Sequence, residues 1–484
     1  MTPGAGGSIA VSAHAATRGY TTSRKRMALA IVALAFVMDL LDVTIVNVAI
    51  PAIRSGLGAT PAQVQWTIAG YTLAFAALLM TGGRLGDRIG YRRCFVLGVG
   101  GFTLASLACG LAPSAGVLVA ARAAQGALAA LMVPQVMALM QLLYAPEERV
   151  KVFTLFGLLG GTAAALGPIV GGLLIGIDAD GLGWRLCFLI NLPVGLFSVL
   201  AALRWLPQGR SLSASRLDVM GAALVTLGLV ALLVPLIEGP ELGWPGWCMA
   251  LLIAVPILLA CSWLHFGRRE RRGSAPLVPS TLWRVNGFRS ALLCGLVLNG
   301  IVPAYLFTLT LVLQTGLGYS ALQMSLLCLP IAFGAMLSIT WLGQHAIRRW
   351  GARTVVVGAV MQALSLLAFA QAMSASPIPM SFLLAAQALM GVGLGLVGPA
   401  TTSVMLQDVP VEAAGIASGL CSTVQQLSGA IAVAVFGWAF FAHLDAGSLA
   451  ESRAWIASLP VMLGWVFLGG IISLALPRLR LHAH

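Results

Sequence analysis

Fourteen apolar runs, each long enough to cross a lipid bilayer as a helix, divide this chain of 484 residues. The hydrocarbon core of a membrane is about 30 Å thick, and about 20 apolar residues span it as an α-helix. The first run lies near 27–50 and the last near 458–476, and short turns with polar residues, Gly or Pro separate them. This pattern predicts an all-α polytopic membrane protein.

The overall composition excludes a soluble fold and several classes of function. Hydrophobic residues make up 59% of the chain, charged residues 9%, and the mean hydropathy is +0.95. A water-soluble domain could not bury this much apolar surface. The 8 cysteines show no C-x-x-C spacing, so we expect neither disulfides nor a metal. No G-x-x-x-x-G-K-[ST] loop is present, which disfavours ATP-driven transport, and we expect no enzyme activity.

The positions of the basic residues predict the orientation of the chain. Its net charge of +13 does not indicate nucleic-acid binding, because the basic residues lie in loops on one side. Only Arg54, Arg185 and Arg453 fall on the other side, and only Arg122 lies inside a run. Basic loops stay in the cytoplasm, so we expect both termini there, in a multi-pass membrane protein. The segment before Arg24 reads as a polar tail rather than a signal peptide.

An internal repeat predicts two related halves. The loop Gly83 to Arg93, after the second run, recurs in weaker form as Gly343 to Arg353, after the tenth. Recurrence at equivalent places predicts two related six-helix bundles, with runs near 219–237 and 248–266 as an inserted pair. The predicted organisation is a cytoplasmic tail (1–26), a first bundle (27–206), a linker with two extra helices (207–267), a cytoplasmic linker (268–287), a second bundle (288–476) and a second tail (477–484).

Two acids in the first run, Asp39 and Asp42, are the strongest candidates for chemistry. A carboxylate inside a membrane costs several kcal/mol and normally faces a cavity on an ion or substrate path. Their spacing of three residues places them on one helix face. Burial and mutual repulsion both oppose two negative charges there, so one acid should bind a proton reversibly. Arg122, in the fourth run, could modulate that proton, or it could be a counter-ion in an ion pair that only fixes packing.

Two Gly-containing segments are candidates for moving parts. The loop after the second run could be a latch at the cytoplasmic surface, or merely a charge cluster that sets topology; its residues are Gly83, Asp87, Arg88, Gly90, Arg92 and Arg93. A helix-breaking proline lies among small residues in the fifth run, where it could serve tight packing, a hinge or a seal; these residues are Gly167, Pro168, Gly171 and Gly172.

Uncharged polar side chains inside the runs could contact a substrate in a central cavity. They could equally tie helices together by hydrogen bonds. These candidates are Asn47, Tyr71, Gln125, Gln425 and Gln426.

These motifs together resemble the major facilitator superfamily, and within it the fourteen-helix drug:proton antiporters of the EmrB/QacA type. The first-helix motif of that family resembles Leu41 to Pro51, and its second helix resembles Gln65-Trp66 with Tyr71. The superfamily loop motif is similar to Gly83 to Arg93, the fourth-helix motif to Arg122 to Gly126, and the antiporter motif to Gly167 to Gly172.

The resemblance implies a proton-coupled exporter of small lipophilic or cationic compounds that works by alternating access, with multidrug efflux as its function. It implies that Asp42 is the coupling carboxylate, Arg122 its partner, and Asp87 with Arg88 the cytoplasmic gate. The proton-motive force would replace any cofactor. The expected partners are substrate, protons and the bilayer, without nucleic acid; a periplasmic adaptor is left open.

Some features depart from the family pattern, and other functions stay open. Ala163 and Thr154 stand where the antiporter motif usually has glycine. The thirteenth run has no carboxylate, which argues against divalent cationic drugs. One alternative is a narrow exporter of an endogenous metabolite, amino acid or siderophore. Another is a non-transporting membrane sensor or scaffold, against which the intact acids and Arg122 argue.

Overall fold

The computed structural model describes residues 21–177, 182–209, 217–375, 377–410, 413–444 and 450–477. Helices account for nearly all of these residues. The first half of the chain provides α1 (Thr22–Leu57), α2 (Pro61–Ile89), α3 (Tyr91–Gly110), α4 (Ala115–Leu143), α5 (Pro146–Ile177), α6 (Gly183–Trp205) and α7 (Val219–Leu242). The second half provides α8 (Gly246–Arg271), α9 (Phe288–Gly316), α10 (321–350), α11 (Thr354–Ser374), α12 (Met380–Leu406), α13 (Ala414–Ala442) and α14 (Ala450–Leu474).

Within the described residues, 13 apolar segments are long enough to cross a membrane. One of them, Ala321–Ser374, has 54 residues and would be about 80 Å long as a single helix, more than twice the bilayer core. The chain turns back within it at Gly351, whose φ of 58° is in the left-handed region. The segment therefore supplies two crossings, α10 and α11, so the described residues contain fourteen, the predicted number.

Two helices extend beyond the predicted domain boundaries. Helix α1 begins at Thr22, where Thr21 caps it, so residues 22–26 of the predicted tail are helical. Helix α8 continues to Arg271, so the boundary predicted between 267 and 268 falls inside a helix. In both places charged residues directly adjoin an apolar run, before it in α1 and after it in α8, and charged side chains do not interrupt a helix that leaves the membrane. Residues 1–20 and 478–484 lie outside the described residues.

Small residues bring α2 and α4 into backbone contact. A Cβ atom added at Gly126 would overlap the backbone of Tyr71, and one added at Gly82 would overlap the backbone of Ala130. Close approach of this kind is how helices associate in lipid, where no hydrophobic force acts between them. It holds Arg122, one turn before Gly126, beside α2.

The extra helices α7 and α8 pack on each other outside the two bundles. Helix α7 also contacts α2 of the first bundle and α13 of the second. These three helices share one apolar cluster, which includes Leu73, Ala77, Leu229, Leu233, Leu427 and Ile431. The inserted pair is therefore peripheral, as predicted, and α7 covers one of the seams between the bundles.

We name the two ends of the helices by their charge. The basic end carries the loop 83–93 and the segments 268–272 and 348–353, and the opposite end is the far end. At the far end the Gln314 side chain donates a hydrogen bond to the Val48 carbonyl at 3.0 Å. On the α5–α10 seam the Ser325 hydroxyl donates to the Pro168 carbonyl at 2.6 Å. These contacts join the bundles at the far end.

The same seam opens toward the basic end. Gly157 and Gly161, in the first half of α5, have no heavy atom within 4 Å of the position where a Cβ would lie. Gly172, in the second half, lies so close to α10 that a Cβ would be 2.8 Å from the Leu322 Cα and 2.9 Å from the Ala321 carbonyl oxygen. The structure is therefore closed at the far end along α5.

A side chain at position 172 should prevent this closure. In Gly172→Val the added atoms would force α5 away from α10, and we expect transport to fall by about tenfold or more, with insertion into the membrane retained. Gly176→Val is the matched control, because nothing lies within 4 Å of a Cβ at Gly176, one turn further along α5. Transport by purified protein in liposomes is the measurement. Equal activity of the two variants would contradict a sealing role for this contact.

Candidate functional site

Asp42 lies at the centre of a fully buried polar cluster in the first bundle. Its Oδ2 atom is 2.5 Å from the Arg122 Nη1 atom. Its Oδ1 atom accepts hydrogen bonds from the Gln125 amide at 2.9 Å and from the Asn191 amide at 2.8 Å. Asp42 is 0% exposed and Arg122 is 2% exposed. A buried ion pair persists only when its remaining polar atoms are also bonded, and these amides meet that requirement.

Arg122 reaches helices on several sides. Its Nε atom donates to the Thr67 carbonyl on α2 at 3.1 Å, and its Nη1 atom also donates to the Gln125 side-chain oxygen at 2.7 Å. The guanidinium lies over the Tyr71 ring, 4.4 Å from the ring centroid. Cation–π contact of a desolvated Arg adds about 2 kcal/mol. The ion pair, predicted as one of two roles for Arg122, is present and joins α1 to α4. The hydrogen bond to Thr67 adds α2.

Asn191 extends the cluster to α6. Its amide donates to Asp42 and also to the Ser106 hydroxyl on α3, at 2.9 Å. That hydroxyl in turn donates to the Phe188 carbonyl at 2.9 Å. Asn191 opens the regular helix Asn191–Trp205, and residues 183–189 before it form short helical turns. The irregular start of α6 thus places an amide against a carboxylate from a different helix.

Asp39 has a different environment, one turn along α1 from Asp42. Its Oδ1 atom accepts a hydrogen bond of 2.5 Å from the Tyr71 hydroxyl. In the described part of the chain this is its only hydrogen bond, and no basic side chain lies in ion-pair contact with it. Asp39 is 5% exposed. The two acids therefore differ: Asp42 has a cation and two amides, whereas Asp39 has one hydroxyl.

The two acids also differ in depth. Arg122 lies about two turns from the far end of α4, and Thr67 lies a similar distance from the far end of α2. Asp39 and Tyr71 lie one turn nearer to the basic end. The ion pair is thus close to the closed end of the seam, and Asp39 is nearer to the side that opens.

The loop at the basic end contacts several parts of the chain. Asp87 accepts a hydrogen bond from the Tyr91 hydroxyl at 3.0 Å, and among the described residues it makes no ion pair with the second bundle. Arg92 donates to the Leu203 carbonyl on α6. Gly90, with φ of 101°, makes the turn between α2 and α3. Within the described residues, Asp87 therefore has no ion-pair partner in the second bundle.

Arg84, which the sequence analysis did not select, joins this loop to the linker before the second bundle. It donates to the Pro276 and Leu277 carbonyls. The Leu277 amide in turn donates to Asp218, at 2.9 Å, and Asp218 also accepts from His265 at 2.8 Å. Burial acts to raise the pKa of Asp218, but the hydrogen bonds from His265, Gly221 and Leu277 outweigh it and hold that pKa below its usual value. This carboxylate anchors α7, α8 and the linker together.

The other predicted residues take several positions. Gly167, Pro168, Gly171 and Gly172 lie on the faces of α5 that meet α1 and α10: a Cβ at Gly167 would overlap Thr44, and one at Gly171 would lie 3.3 Å from Ile45. Gly83 faces Pro134, 3.6 Å from a built Cβ. Arg88 and Arg93 are exposed, and Gln426 is partly exposed.

The cavity candidates divide into two groups. Tyr71 and Gln125 are buried and hydrogen-bonded to the two aspartates. Gln425 is exposed on α13, and its nearest polar contact is the Thr402 hydroxyl at 3.5 Å. The Asn47 amide donates to the Val43 carbonyl at 3.1 Å, while its buried oxygen has no partner among the described residues. The Asn47 oxygen is therefore buried without a donor, whereas Gln425 is exposed.

Comparison with known proteins gives a consistent result. Residues 32–219 and 210–433 match the sequence pattern of the Major Facilitator Superfamily. A protein of Streptomyces coelicolor named "Probable actinorhodin transporter" is 40% identical over 435 residues, which cover 89% of this chain and 75% of that protein. A puromycin resistance protein of Streptomyces alboniger is 36% identical, with 85% and 81% covered.

Solved structures agree in fold. The crystal structure of a bacterial homologue of the human lysosomal transporter Spinster has a TM-score of 0.64 and 15% sequence identity, covering 94% of this chain and 98% of that one. Identity this low shows the shared fold and nothing about substrate.

The buried ion pair predicts a non-additive pair of substitutions. Arg122→Gln leaves the Asp42 carboxylate without a cation, which should destabilise the protein by about 3–5 kcal/mol. Adding Asp42→Asn removes the unpaired charge, so the double variant should unfold at a higher temperature than Arg122→Gln alone. Thermal unfolding in detergent, followed by tryptophan fluorescence, measures both. If the second substitution lowers the midpoint further, the ion pair is not what holds this cluster together.

Proposed function

Because this chain belongs to the Major Facilitator Superfamily, we propose that it exports antibiotic-type small molecules from a bacterial cell in exchange for protons. Members of this fold are transporters, not enzymes. One of the relatives described above is named as a transporter and the other as an antibiotic resistance protein. These names support export rather than uptake. The distribution of basic residues supports a plasma-membrane orientation in which the basic end and both termini face the cytoplasm.

One observation carries the proton-exchange part of the proposal: of two buried acids one turn apart, only one is paired with an arginine. Asp42 takes the cation and two amide donors, and Asp39 is left with the Tyr71 hydroxyl. An ionised carboxylate inside a membrane without a counter-ion is costly. Asp39 is therefore the acid that gains and loses the proton, while Asp42 and Arg122 form the fixed frame around it. This differs from the role that the family resemblance implies for Asp42.

The driving force is sufficient for such an exchange. A proton that enters the cell releases about 2.3 kcal/mol per 100 mV of membrane potential. A pH difference of one unit adds about 1.4 kcal/mol. Together these could maintain a concentration gradient of several hundredfold for one substrate molecule per proton. No bound cofactor is required for this energy conversion.

The structure's shape supports alternating access. The far end is joined by contacts between Gln314 and Val48 and between Ser325 and Pro168, while α5 is free of contacts at Gly157 and Gly161. In the proposed orientation the open side of the seam faces the cytoplasm, where an exporter collects its substrate. Asn47 and Gln425, with unused polar atoms, are the proposed contacts for that substrate.

A narrow exporter and a multidrug pump differ in the range of substrates that they transport. Both relatives described above are named for one compound each, whereas a relative that is 32% identical to this chain is named a multidrug resistance protein. Expression in a drug-sensitive bacterium, with growth measured against puromycin, actinorhodin and a panel of unrelated antibiotics, separates the two. Resistance to one compound supports the narrow exporter, and resistance to several chemical classes supports multidrug efflux. Unchanged sensitivity to all of them at normal expression argues against export.

Asp39→Asn should separate substrate binding from proton coupling. The amide keeps the shape of the carboxyl group and can accept from Tyr71, but it cannot exchange a proton. We expect uptake of an exported drug into inverted vesicles energised by a pH gradient to fall by about tenfold or more. Binding of the same drug should change by less than about threefold, since the frame of Asp42 and Arg122 remains.

The double variant Asp39→Asn/Asp42→Asn completes this test. It removes both acids that could hold the proton, including any exchange between them. An uncoupler applied to wild-type vesicles sets the level without a gradient. Gradient-driven uptake by the double variant above that level, at matched expression, would place the proton site outside α1.

Asp87→Asn should slow transport without affecting insertion. The proposed role of Asp87 is to pair with the second bundle when the basic end closes, so loss of its charge should lower the turnover rate by about tenfold. Tyr91→Phe is the control, because it removes the hydrogen bond that Asp87 accepts in this structure and keeps the acid. Initial rates of drug uptake at matched protein levels are the measurement. If Tyr91→Phe slows transport as much as Asp87→Asn, the local hydrogen bond and not the gate explains the effect.

A further inference from the structure

A groove lies between α2, α4 and α7, apart from the buried polar cluster. It encloses about 610 Å³. Its walls are formed largely by small residues of α2 and α4, which leave room where larger side chains would fill the space; these are Gly70, Ala74, Ala77, Gly116, Ala120 and Ala123. Thr226 and Val230 of α7 close the other side. The groove runs along the helices within the membrane.

One end of the groove carries a carboxylate. Glu238, near the far end of α7, is half-buried, and its Oε1 atom accepts a hydrogen bond from the Trp66 indole at 2.7 Å. In the part of the chain that the structure describes, no Lys or Arg pairs with it. Gln63 lies at the same end. Trp66 and Glu238 each lie about one turn from the far end of their helices, and Trp is enriched where membrane helices reach the headgroups, so we place this end of the groove in the headgroup layer.

We propose that the groove binds one phospholipid with a primary-amine headgroup, its ammonium at Glu238 and one acyl chain between α2, α4 and α7. The groove extends from Gln63 to Leu78 of α2, about 22 Å along a helix. One leaflet contributes about 15 Å of hydrocarbon. The groove is therefore long enough for an acyl chain and the contact with its headgroup.

Charge selects this lipid from others in the bilayer. Glu238 is a carboxylate without a cationic side chain, and an ammonium ion with N–H donors can both neutralise it and donate to its second oxygen. A choline headgroup has the same charge but no N–H group. A glycerol phosphate headgroup is anionic and would be repelled. The preferred order is therefore ethanolamine, then choline, then phosphoglycerol.

The position of the groove gives the lipid a mechanical role. Helix α7 contacts α2 of the first bundle and α13 of the second. A lipid wedged between α7 and the first bundle fills the space beside this bridge, so its presence should stabilise the protein. This inference does not depend on the substrate or on proton coupling, because it rests only on the groove and on Glu238.

The test compares lipids on the purified full-length protein. Delipidated protein in detergent receives phosphatidylethanolamine, its mono- and dimethylated forms, phosphatidylcholine or phosphatidylglycerol, and native mass spectrometry and thermal unfolding report binding. We expect apparent affinity to fall stepwise with methylation, by about tenfold from ethanolamine to choline, because each methyl group removes a donor. The wild-type protein alone can therefore refute the proposal: equal affinity across this series overturns it.

Variants then locate the site. Glu238→Gln should abolish the headgroup preference, whereas Glu241→Gln, one turn away and outside the groove, should keep it; Glu241 accepts from the Ala62 amide at 2.6 Å instead. Ala74→Phe should fill the groove and weaken binding of all the lipids. A preference that survives Glu238→Gln overturns the assignment. So does a result in which Glu238 governs binding of the lipophilic cation tetraphenylphosphonium but not of phosphatidylethanolamine, since the groove would then take drug-like cations.

Discussion

The guanidinium of Arg122 sets the arrangement of the first bundle. A charged side chain in a membrane helix costs about 2.5–3.5 kcal/mol on insertion scales, and the five N–H groups of an arginine need acceptors. Thr67, Gln125 and Asp42 supply those acceptors from α2, α4 and α1. Asn191 then brings in α6 by bonding to Asp42. Four helices converge because one cation cannot be left without partners in a low-dielectric environment.

The contacts between the bundles are of a different kind. The charged cluster lies inside the first bundle, whereas the bundles meet at the far end through apolar packing, hydrogen bonds to backbone carbonyls and close approaches at glycine. A hydrogen bond of this type contributes about 1 kcal/mol net and can be exchanged for water. Breaking a buried ion pair would cost several times more. The seam can therefore open and close while the charged frame stays intact.

Sequence alone predicted the number of crossings, the peripheral position of the extra helices, and the ion pair of Asp42 with Arg122 as one of two roles. These follow from run length, repeat position and the cost of charge in lipid. It did not predict that Tyr71 binds Asp39, because hydropathy does not fix how a helix is rotated about its axis. It also missed the roles of Arg84 and Asp218, whose contacts join segments far apart in sequence. The one feature of the sequence that pointed to Arg84 was its position in the loop 83–93, which the sequence analysis had selected for its glycines.

The charge balance of the cluster explains why two acids are present where one arginine requires only one. With Asp42 and Arg122 paired, the cluster is neutral when Asp39 carries a proton and has one negative charge when it does not. The neutral form is the one that a closed, dehydrated bundle favours. The negative form needs water or a cation nearby, and the open side of the seam, toward which Asp39 is displaced from Asp42, supplies access to both. A cationic or hydrogen-bonding substrate on that side would stabilise the deprotonated acid, so substrate and proton would compete for one charge without any rearrangement of the ion pair. The proposed exchange would then require only that the bundles rock around a fixed frame, with the second acid as the group that responds to substrate.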